Sequence, residues 1–199
     1  CQFRGKTYGL PFSAASYGVF YNVDMFEATG LPTDRESFPK TFDEMKELSA
    51  KFVKWEGSEL KQAGFMPWYE NWIYPVWSGL NGSQWFTAKE EKYTINSPEN
   101  VELLEGWVSW LDDQYNGDLE YINSLGGWDV YEQGLWRQRV TPLGQGGAWN
   151  TSYTFMKYET IGFRWDVAKF PVGPKGKKSV TGFWPNWFVQ EPPGGLPAQ

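Results

Sequence analysis

The segment at residues 5–24, GKTYGLPFSAASYGVFYNVD, restricts the possible folds of this chain more than any other stretch. Its middle part, residues 13–16, consists of small side chains that leave the backbone amides accessible. The aromatic and β-branched residues 17–23 predict a strand, and residues 24–30 predict a short helix. Small residues between two strands allow a ligand or another backbone to approach closely. The segment therefore favours a ligand-facing position, and it also suits a crossing of the chain between two lobes.

Three phrases of the sequence resemble those of the sugar-type extracellular solute-binding proteins of bacterial ABC importers, family 1, the cluster that includes the maltose-binding protein. Residues 5–24 resemble the family's GKxYGLPx…YNxD, residues 39–44 its PxTFDE, and residues 166–174 its VxxxPxGP. Each phrase alone is weak, and their order and spacing give the resemblance its specificity. It covers essentially all 199 residues but only the middle of a complete member, so we interpret the chain as an internal fragment.

The resemblance implies an α/β chain with the two-lobed periplasmic-binding-protein fold of type II, a Venus-flytrap whose lobes close around a ligand by hinge bending. Residues 1–14 would form the end of the first lobe and a hinge crossing, residues 15–181 the second lobe, and residues 182–199 the return crossing. The implied function is capture of a carbohydrate and its delivery to the membrane permease of an ABC transporter, without chemistry. We expect a monomer.

The composition is rich in aromatic residues. They make up 19% of the chain and include 13 Trp, although the mean hydropathy is −0.55. A core needs few Trp, because the indole is large and its N–H requires a partner. The composition therefore predicts many half-exposed indoles that stack on something flat and partly apolar. A pyranose ring, with C–H faces and a hydroxyl rim, fits this description.

Charge and residue usage exclude several classes of function. A net charge of −6 and a pI of about 4.8 argue against nucleic acid or an anionic membrane as the partner. Histidine is absent, which removes Ser-His-Asp and Cys-His nucleophile systems and argues against a transition-metal site. We expect no cofactor, no metal and no catalytic residue.

The expected location is periplasmic or extracellular, as the resemblance implies. No apolar run is long enough to span a bilayer, and no signal peptide is visible. Lipid anchoring through a cysteine upstream of this fragment remains an open alternative. The resemblance places Cys1 itself well inside the first lobe, which favours an ordinary residue at that position.

The aromatic segment at residues 64–82, GFMPWYENWIYPVWSGLNG, is expected to line the ligand cleft. The resemblance makes Trp72 the candidate stacking residue, with Trp68 and Glu70 beside it. The alternative interpretation is that Trp72 and Trp77 are core residues of the helix that ends near residue 80.

Two other parts of the chain complete the candidate site. Residues 148–155, AWNTSYTF, correspond to the phrase AMxxxGxW of the family. In the family, the residues at the end of this phrase contact the sugar. We match Ser152 to its Gly, with Tyr153 and Phe155 flanking the place of its Trp. The full set of candidate ligand-binding residues is Ser13, Ala15, Ser16, Trp68, Glu70, Trp72, Ser152, Tyr153, Phe155, Gly182, Phe183 and Trp184.

Two helices are predicted together with their caps and buried faces. Thr41 is the N-cap of the first, where Glu44 completes a capping box, and Ser97 caps the second. Residues 64–66 predict a short strand, and residues 85–95 predict a hairpin. The predicted buried stripe of the first helix is Phe42, Met45, Leu48 and Phe52; that of the second is Val101, Leu104, Val108 and Leu111, with Trp107 beside it.

Two alternatives to a transport receptor remain open. A glycoside hydrolase fragment would require two carboxylates roughly 5–9.5 Å apart across a cleft. Glu70, Asp129 and Glu132 are candidates, but nothing in the sequence marks a pair. A carbohydrate-binding module without a transport role is the second alternative, and the predicted helices count against it because such modules are mostly β-sandwiches.

Overall fold

The computed structural model describes residues 2–3, 5–69, 73–83, 85–87, 90–130, 133–151, 161–174 and 184–188, with the backbone alone described at 2–3, 10–15, 86–87 and 184–188. The strands are β1 Gln2–Phe3, β2 Lys6–Thr7, β3 Leu10–Ala15, β4 Tyr17–Asn22, β5 Lys54–Glu56, β6 Glu59–Gln62, β7 Phe86–Thr87, β8 Lys92–Tyr93, β9 Leu143–Gly147, β10 Trp165–Ala168 and β11 Trp184–Phe188. The helices are α1 Val23–Ala28, α2 Phe42–Ala50, α3 Ile73–Leu80, α4 Pro98–Tyr115 and α5 Leu119–Ser124.

Strand β4 is the centre of a three-stranded antiparallel sheet in the order β10-β4-β9, and it is buried along its whole length. Its side chains alternate between two apolar clusters, as a strand covered on both faces requires. Tyr17, Val19 and Tyr21 point into the main core, whereas Phe20 packs in a smaller cluster with Trp136 and its neighbours. The strand predicted over residues 17–23 and the short helix behind it are both confirmed.

The chain changes sheets at Ser16. Strand β3, just before it, pairs in antiparallel fashion with β11, placing Ala15 opposite Trp184 and Ser13 opposite Asn186. Strand β4, just after it, pairs with β9 and β10 instead. Residues on the two sides of Ser16 therefore belong to different sheets.

Helix α2 has the predicted cap and the predicted buried face. The backbone N–H of Glu44 donates to Thr41 Oγ1 at 3.2 Å, and the backbone N–H of Thr41 donates to Glu44 Oε2 at 3.0 Å. The backbone N–H groups of Lys40 and Thr41 lower the pKa of the Glu44 carboxyl. The four predicted stripe residues, Phe42, Met45, Leu48 and Phe52, are all buried.

Helix α4 begins at the predicted cap, Ser97, but the prediction of its buried stripe is wrong for three of its four residues; the fourth, Leu111, is partly buried, and Trp107 beside the stripe is buried. Val101, Leu104 and Val108 are exposed by 45%, 46% and 57%. The buried face is rotated by one residue and consists of Asn100, Leu103, Trp107, Trp110, Gln114 and Tyr115. The two indoles bury more apolar area than the aliphatic stripe would, and the two buried amides are hydrogen-bonded, so their desolvation is compensated.

Residues 64–66 do not form the predicted strand. The backbone is buried there, and side chains satisfy it: Gly64 N donates to the Tyr115 hydroxyl at 3.1 Å, and Phe65 N donates to Ser49 Oγ at 2.8 Å. Further along, α3 ends at Leu80, near the predicted end, and the hairpin at residues 85–95 is confirmed as β7 and β8. Trp77 is fully buried, so for this residue the core interpretation is confirmed.

The expectation of many half-exposed indoles fits five of the ten whose side chains the structure describes: Trp55, Trp68, Trp85, Trp149 and Trp165 are half-buried or exposed. Among the indoles that the structure describes, Trp77, Trp107, Trp110, Trp128 and Trp136 are buried. Three of them donate their indole N–H within the core, to Gln114 Oε1, Ile122 O and Pro142 O. For these three indoles, internal acceptors remove the physical reason for a position at the surface, whereas the buried N–H groups of Trp77 and Trp107 have no hydrogen-bond partner among the described residues.

A polar cluster closes the end of the central sheet remote from Ser16. The Asp166 carboxylate accepts hydrogen bonds from Arg35 Nε at 2.8 Å, from Val167 N at 2.8 Å and from the Tyr21 hydroxyl at 3.2 Å. Partial burial alone would raise the pKa of Asp166, but these donors together lower it. Burial, and then the Asp166 charge, raises the pKa of Tyr21 to about 12.

Replacing Asp166 is expected to make stability less dependent on acid pH. The pKa of Asp166 is lower in the folded protein than in the unfolded chain, where it is near 4. The carboxylate therefore stabilises the fold fully at pH values above the unfolded pKa, and this contribution disappears as the pH falls through the folded pKa. Asp166→Asn should therefore lower the free energy of unfolding by about 1 kcal/mol at pH 7, a value reduced for solvent screening, and by less at pH 3. Urea titrations at both pH values measure the difference; an equal loss at pH 3 and pH 7 would contradict the assignment.

Candidate ligand cleft

The first part of the candidate site is the junction between β9 and the helical residues 148–151. Gly147, the last residue of β9, lies opposite Tyr17, and the backbone N–H of Ala148 donates to Ser16 O at 2.8 Å. Gly147 N donates to Asn150 Oδ1 at 2.8 Å, which fixes the start of the helical turn. The point where the chain changes sheets and the end of β9 are thus joined by hydrogen bonds.

Trp149 lies at the rim of this junction, where its side chain is 41% exposed. Its ring centroid is 5.3 Å from that of Tyr17, and the two rings are perpendicular. A Cβ on Gly147 would lie 2.3 Å from Trp149 Cη2, so only glycine allows the indole to lie across the end of the strand. The indole is therefore oriented by the strand and by Tyr17, with part of its surface open to solvent.

The second part is the turn at residues 66–69, which leads into the predicted stacking segment. Gln145 of β9 is buried, and its Nε2 donates to Tyr69 O at 2.7 Å and to Met66 O at 3.3 Å. Trp68 is half-buried and packs edge-on against Tyr115, with 5.9 Å between ring centroids. Strand β9 therefore supports both aromatic segments, one through Gln145 and the other through its last residue.

A cavity of about 240 Å³ opens beside the change of sheets. Its lining includes the hydroxyl-bearing residues Ser16 and Thr151, the ammonium-bearing Lys169, and the backbone of Gly146 and Gly147. Tyr17 and Gly147, the two residues that orient the Trp149 indole, line the same cavity. Apolar surface beside such groups is the arrangement that binds an amphipathic small molecule.

The predicted site residues divide into those that the structure describes and those that lie outside it. Ser13, Ala15 and Trp184 are described by their backbone and lie in the β3–β11 pair, next to Ser16. Trp68 lies in the turn supported by β9. Glu70, Trp72, Ser152, Tyr153, Phe155, Gly182 and Phe183 lie outside the described residues, so their roles stay predictions.

Trp149 and Tyr17 were not among the predicted site residues. The signal for Trp149 was present, because Gly147-Ala148-Trp149 reproduces the GxW ending of the family phrase five residues before the position that we matched to it. The structure pairs Gly147 with Tyr17, which places Gly147-Ala148-Trp149 at the end of strand β9. This pairing is not visible in the sequence.

Comparison with known proteins identifies the family. The profile described as bacterial extracellular solute-binding protein matches residues 2–194. The chain belongs to this family. The family predicted from the three sequence phrases is therefore confirmed.

The sequence relatives of this solute-binding protein are longer than the chain. A Brucella abortus protein named as a binding protein is 28% identical over 184 residues, which are 89% of this chain and 41% of the relative. The sn-glycerol-3-phosphate-binding periplasmic protein of Escherichia coli K12 is 26% identical over 126 residues, which are 59% of this chain and 26% of the relative. The chain thus spans less than half the length of these relatives. Their names are those of binding proteins and not of enzymes.

Solved structures share the fold. CpMnBP1 with mannotriose bound gives a TM-score of 0.73 at 24% identity, over 88% of this chain and 44% of that chain. The GacH receptor of Streptomyces glaucescens, solved unliganded and with acarbose, gives 0.62 at 16% identity, over 94% and 44%. The Thermotoga lettingae ABC transporter solute-binding protein bound with α-D-tagatose gives 0.60 at 19% identity, over 94% and 45%. The predicted fold class, α/β of the two-lobed periplasmic-binding-protein type, is confirmed, and this chain matches part of each structure.

Two properties of the described residues bear on the class of site. No group of three or more Asp, Glu, Cys or His side chains in the described part of the chain could hold a metal ion. In the same part of the chain, every helix is too short or too polar to cross a bilayer.

Proposed function

We propose that this chain forms part of a receptor that binds a carbohydrate outside the cytoplasm and delivers it to an ABC transporter permease. Family membership supports the receptor role, and the sugars named in the solved structures, mannotriose, tagatose and acarbose, support the class of ligand. The observation that carries the proposal is the exposed indole of Trp149, oriented by Tyr17 and Gly147, two residues that also line the cavity with Ser16 and Thr151.

The physical mechanism is stacking combined with hydrogen bonding. The Trp149 indole covers one C–H face of a sugar ring, and burial of apolar surface at about 25 cal/mol per Å² makes one stacked ring worth about 1–3 kcal/mol. Hydroxyls and backbone groups at the change of sheets bind the rim of the ring. They select the sugar, because a buried polar group left without a partner costs a similar amount.

The assignment of lobes is part of the proposal. Residues 1–14 form the end of the first lobe and a hinge crossing, residues 15–181 form the second lobe, and residues 182–199 form the return crossing toward the first lobe. The change of sheets at Ser16 supports this division, and so does the pairing of β3 with β11, since two crossing strands that run side by side pair in this way. Bending at this ribbon would close the cleft and create the surface that the permease recognises.

The remaining properties follow from the same role. The protein acts as a monomer without cofactor, catalysis or nucleic-acid partner, in the periplasm or at the extracellular face. An upstream cysteine that carries lipid would anchor it to the membrane. The family and the periplasmic relative support the location, and the charge of −6 supports the absence of nucleic acid.

Ligand titrations of the complete protein test the proposal. Tryptophan fluorescence and melting temperature would be followed with mannobiose, mannotriose, tagatose, acarbose and glycerol 3-phosphate, and a chromogenic glycoside would report hydrolysis. We expect a saturable spectral change with a raised melting temperature for a sugar, and no hydrolysis. A response to glycerol 3-phosphate alone, or to no sugar in a broad panel, would remove the carbohydrate assignment, and turnover would remove the receptor role.

A further inference from the structure

A second aromatic groove, with a volume of about 740 Å³, lies on the surface formed by α3, α4 and the residues after β8. Its volume is within the range of small-molecule sites, about 300–1,000 Å³. We call it the α4 groove. It is lined by Trp68, Tyr74, Tyr93, Ile95, Asn96, Asn100, Val101, Leu104 and Trp107, none of which carries a charge.

The rings on the floor of the α4 groove are held in place by other aromatic residues. Tyr74 packs between Trp85 and Trp107, with centroid distances of 5.4 Å and 5.7 Å. Burial raises the pKa of the Tyr74 hydroxyl, so it stays neutral. The Asn100 amide is fixed as well, because its Nδ2 donates to Ile95 O at 2.9 Å. The floor is therefore preformed, which lowers the ordering cost of binding.

The exposed part of the groove is an apolar surface that the fold leaves uncovered. Tyr93 is 77% exposed, and Ile95, Val101 and Leu104 beside it are each about half exposed. Exposed apolar residues that cluster in this way mark a binding surface rather than scattered surface residues. Val101 and Leu104, which were predicted to be buried, thus contribute to the exposed lining of the groove.

The chemistry of the lining favours a neutral glycan as the occupant. Aromatic faces bind the C–H faces of sugars, the Asn96 amide can bind hydroxyls, and a lining without charge offers nothing to an ionic ligand. Trp68 belongs both to this groove and to the turn that Gln145 joins to β9, so the groove and the second part of the candidate site have this residue in common.

We propose that the α4 groove is a second carbohydrate subsite, continuous with the cleft through Trp68, that binds the extension of a neutral oligosaccharide. The proposal rests on the proposed function and refines it, because it makes oligosaccharides, rather than single sugars, the better ligands. Affinity should therefore rise with chain length until the groove is filled.

Calorimetric titration of the complete protein with linear gluco- and manno-oligosaccharides of one to six units tests this proposal. Tyr93→Ala should weaken binding of the longest sugar that binds by about tenfold and leave the shortest within about twofold. Val101→Asn, a second variant in the lining, should act in the same direction. Val108→Ala is the matched control, because Val108 is exposed on the same helix but does not line the groove, and it should leave every affinity unchanged.

The outcomes separate this proposal from the proposed function. Binding of a sugar with no dependence on length, or equal losses for short and long sugars in Tyr93→Ala, would overturn the subsite and leave the receptor intact. Binding of no sugar would overturn both. Sedimentation velocity adds a further outcome: conversion of a dimer to a monomer by Tyr93→Ala, without a change in affinity, would show that the groove is a protein interface and overturn the subsite.

Discussion

Gly64→Ala is expected to lower the free energy of unfolding by roughly 3–5 kcal/mol, the range of severe core defects. A Cβ at this position would lie 2.2 Å from Ser49 Oγ and 2.3 Å from Ser49 O. The hydroxyl could rotate away, but the carbonyl is part of the last turn of α2 and cannot move alone. Relief of the clash would therefore separate α2 from the buried segment at residues 63–66.

The same substitution would also disturb hydrogen bonds that have no replacement. Gly64 N donates to the Tyr115 hydroxyl, and the Thr141 hydroxyl donates to Gly64 O. Tyr115 and Thr141 are buried, so a polar group separated from its partner there is not compensated by water. The loss should consequently exceed the cost of a steric clash at the surface.

Gly79→Ala is the matched control. Gly79 lies inside α3, and a Cβ there would have no heavy atom within 4 Å. Alanine is the better helix former by up to about 1 kcal/mol, so this variant should be neutral or more stable. Urea unfolding followed by circular dichroism measures both variants, and equal stability of the two would contradict the packing described at Gly64.

Features that depend on neighbours in sequence could be predicted from the sequence alone. The capping box of Thr41 and Glu44 is complete within four residues, and Ser97 is followed at once by Pro98. The strand predicted over residues 17–23 and the hairpin at β7 and β8 are similarly local. In each case the physical cause lies within one or two turns of the chain, so no tertiary contact can reverse it.

The buried face of α4 could not be predicted, because two heptad-spaced faces compete within the same helix. One carries Val101, Leu104 and Val108, and the other carries Trp107 and Trp110 together with two amides. The choice depends on distant partners: Gln114 bonds with Ser49 and with the Lys46 carbonyl, both on α2. The irregular backbone at residue 64 has the same origin, since a hydroxyl from α4 replaces the partner strand.

The role of residues 13–16 in the candidate site could be predicted from the sequence, but the position of the exposed indole, Trp149, could not. The small residues 13–16 predicted a close approach of ligand or backbone, or a crossing between lobes, and the structure has a change of sheets at Ser16. The position of the exposed indole depends on Gly147 lying opposite Tyr17, a pairing across 130 residues of chain. Without that register, nothing in the sequence distinguishes the GxW at residues 147–149 from the match five residues later.

Trp149→Ala is expected to weaken sugar binding by about thirtyfold, which corresponds to about 2 kcal/mol for the loss of one stacked ring. The effect on folding should be small, at most about 1 kcal/mol, because the indole is 41% exposed and its packing partner is the edge of Tyr17. Fluorescence or calorimetric titration gives the affinity, and the melting temperature of the unliganded protein gives the effect on folding.

Trp85→Ala serves as the control, because Trp85 is also an exposed indole but lies in the β7–β8 hairpin, away from the β9 junction. Titrated with the shortest sugar that binds, it should keep the wild-type affinity. Gly147→Val provides an independent test of geometry, since its side chain would displace the indole without removing it, and it should lose affinity as Trp149→Ala does. If Gly147→Val binds normally, the orientation of the indole is irrelevant to the ligand. If Trp149→Ala itself keeps full affinity, the ligand is bound by the aromatic residues near position 70, and the junction at β9 serves only to support them.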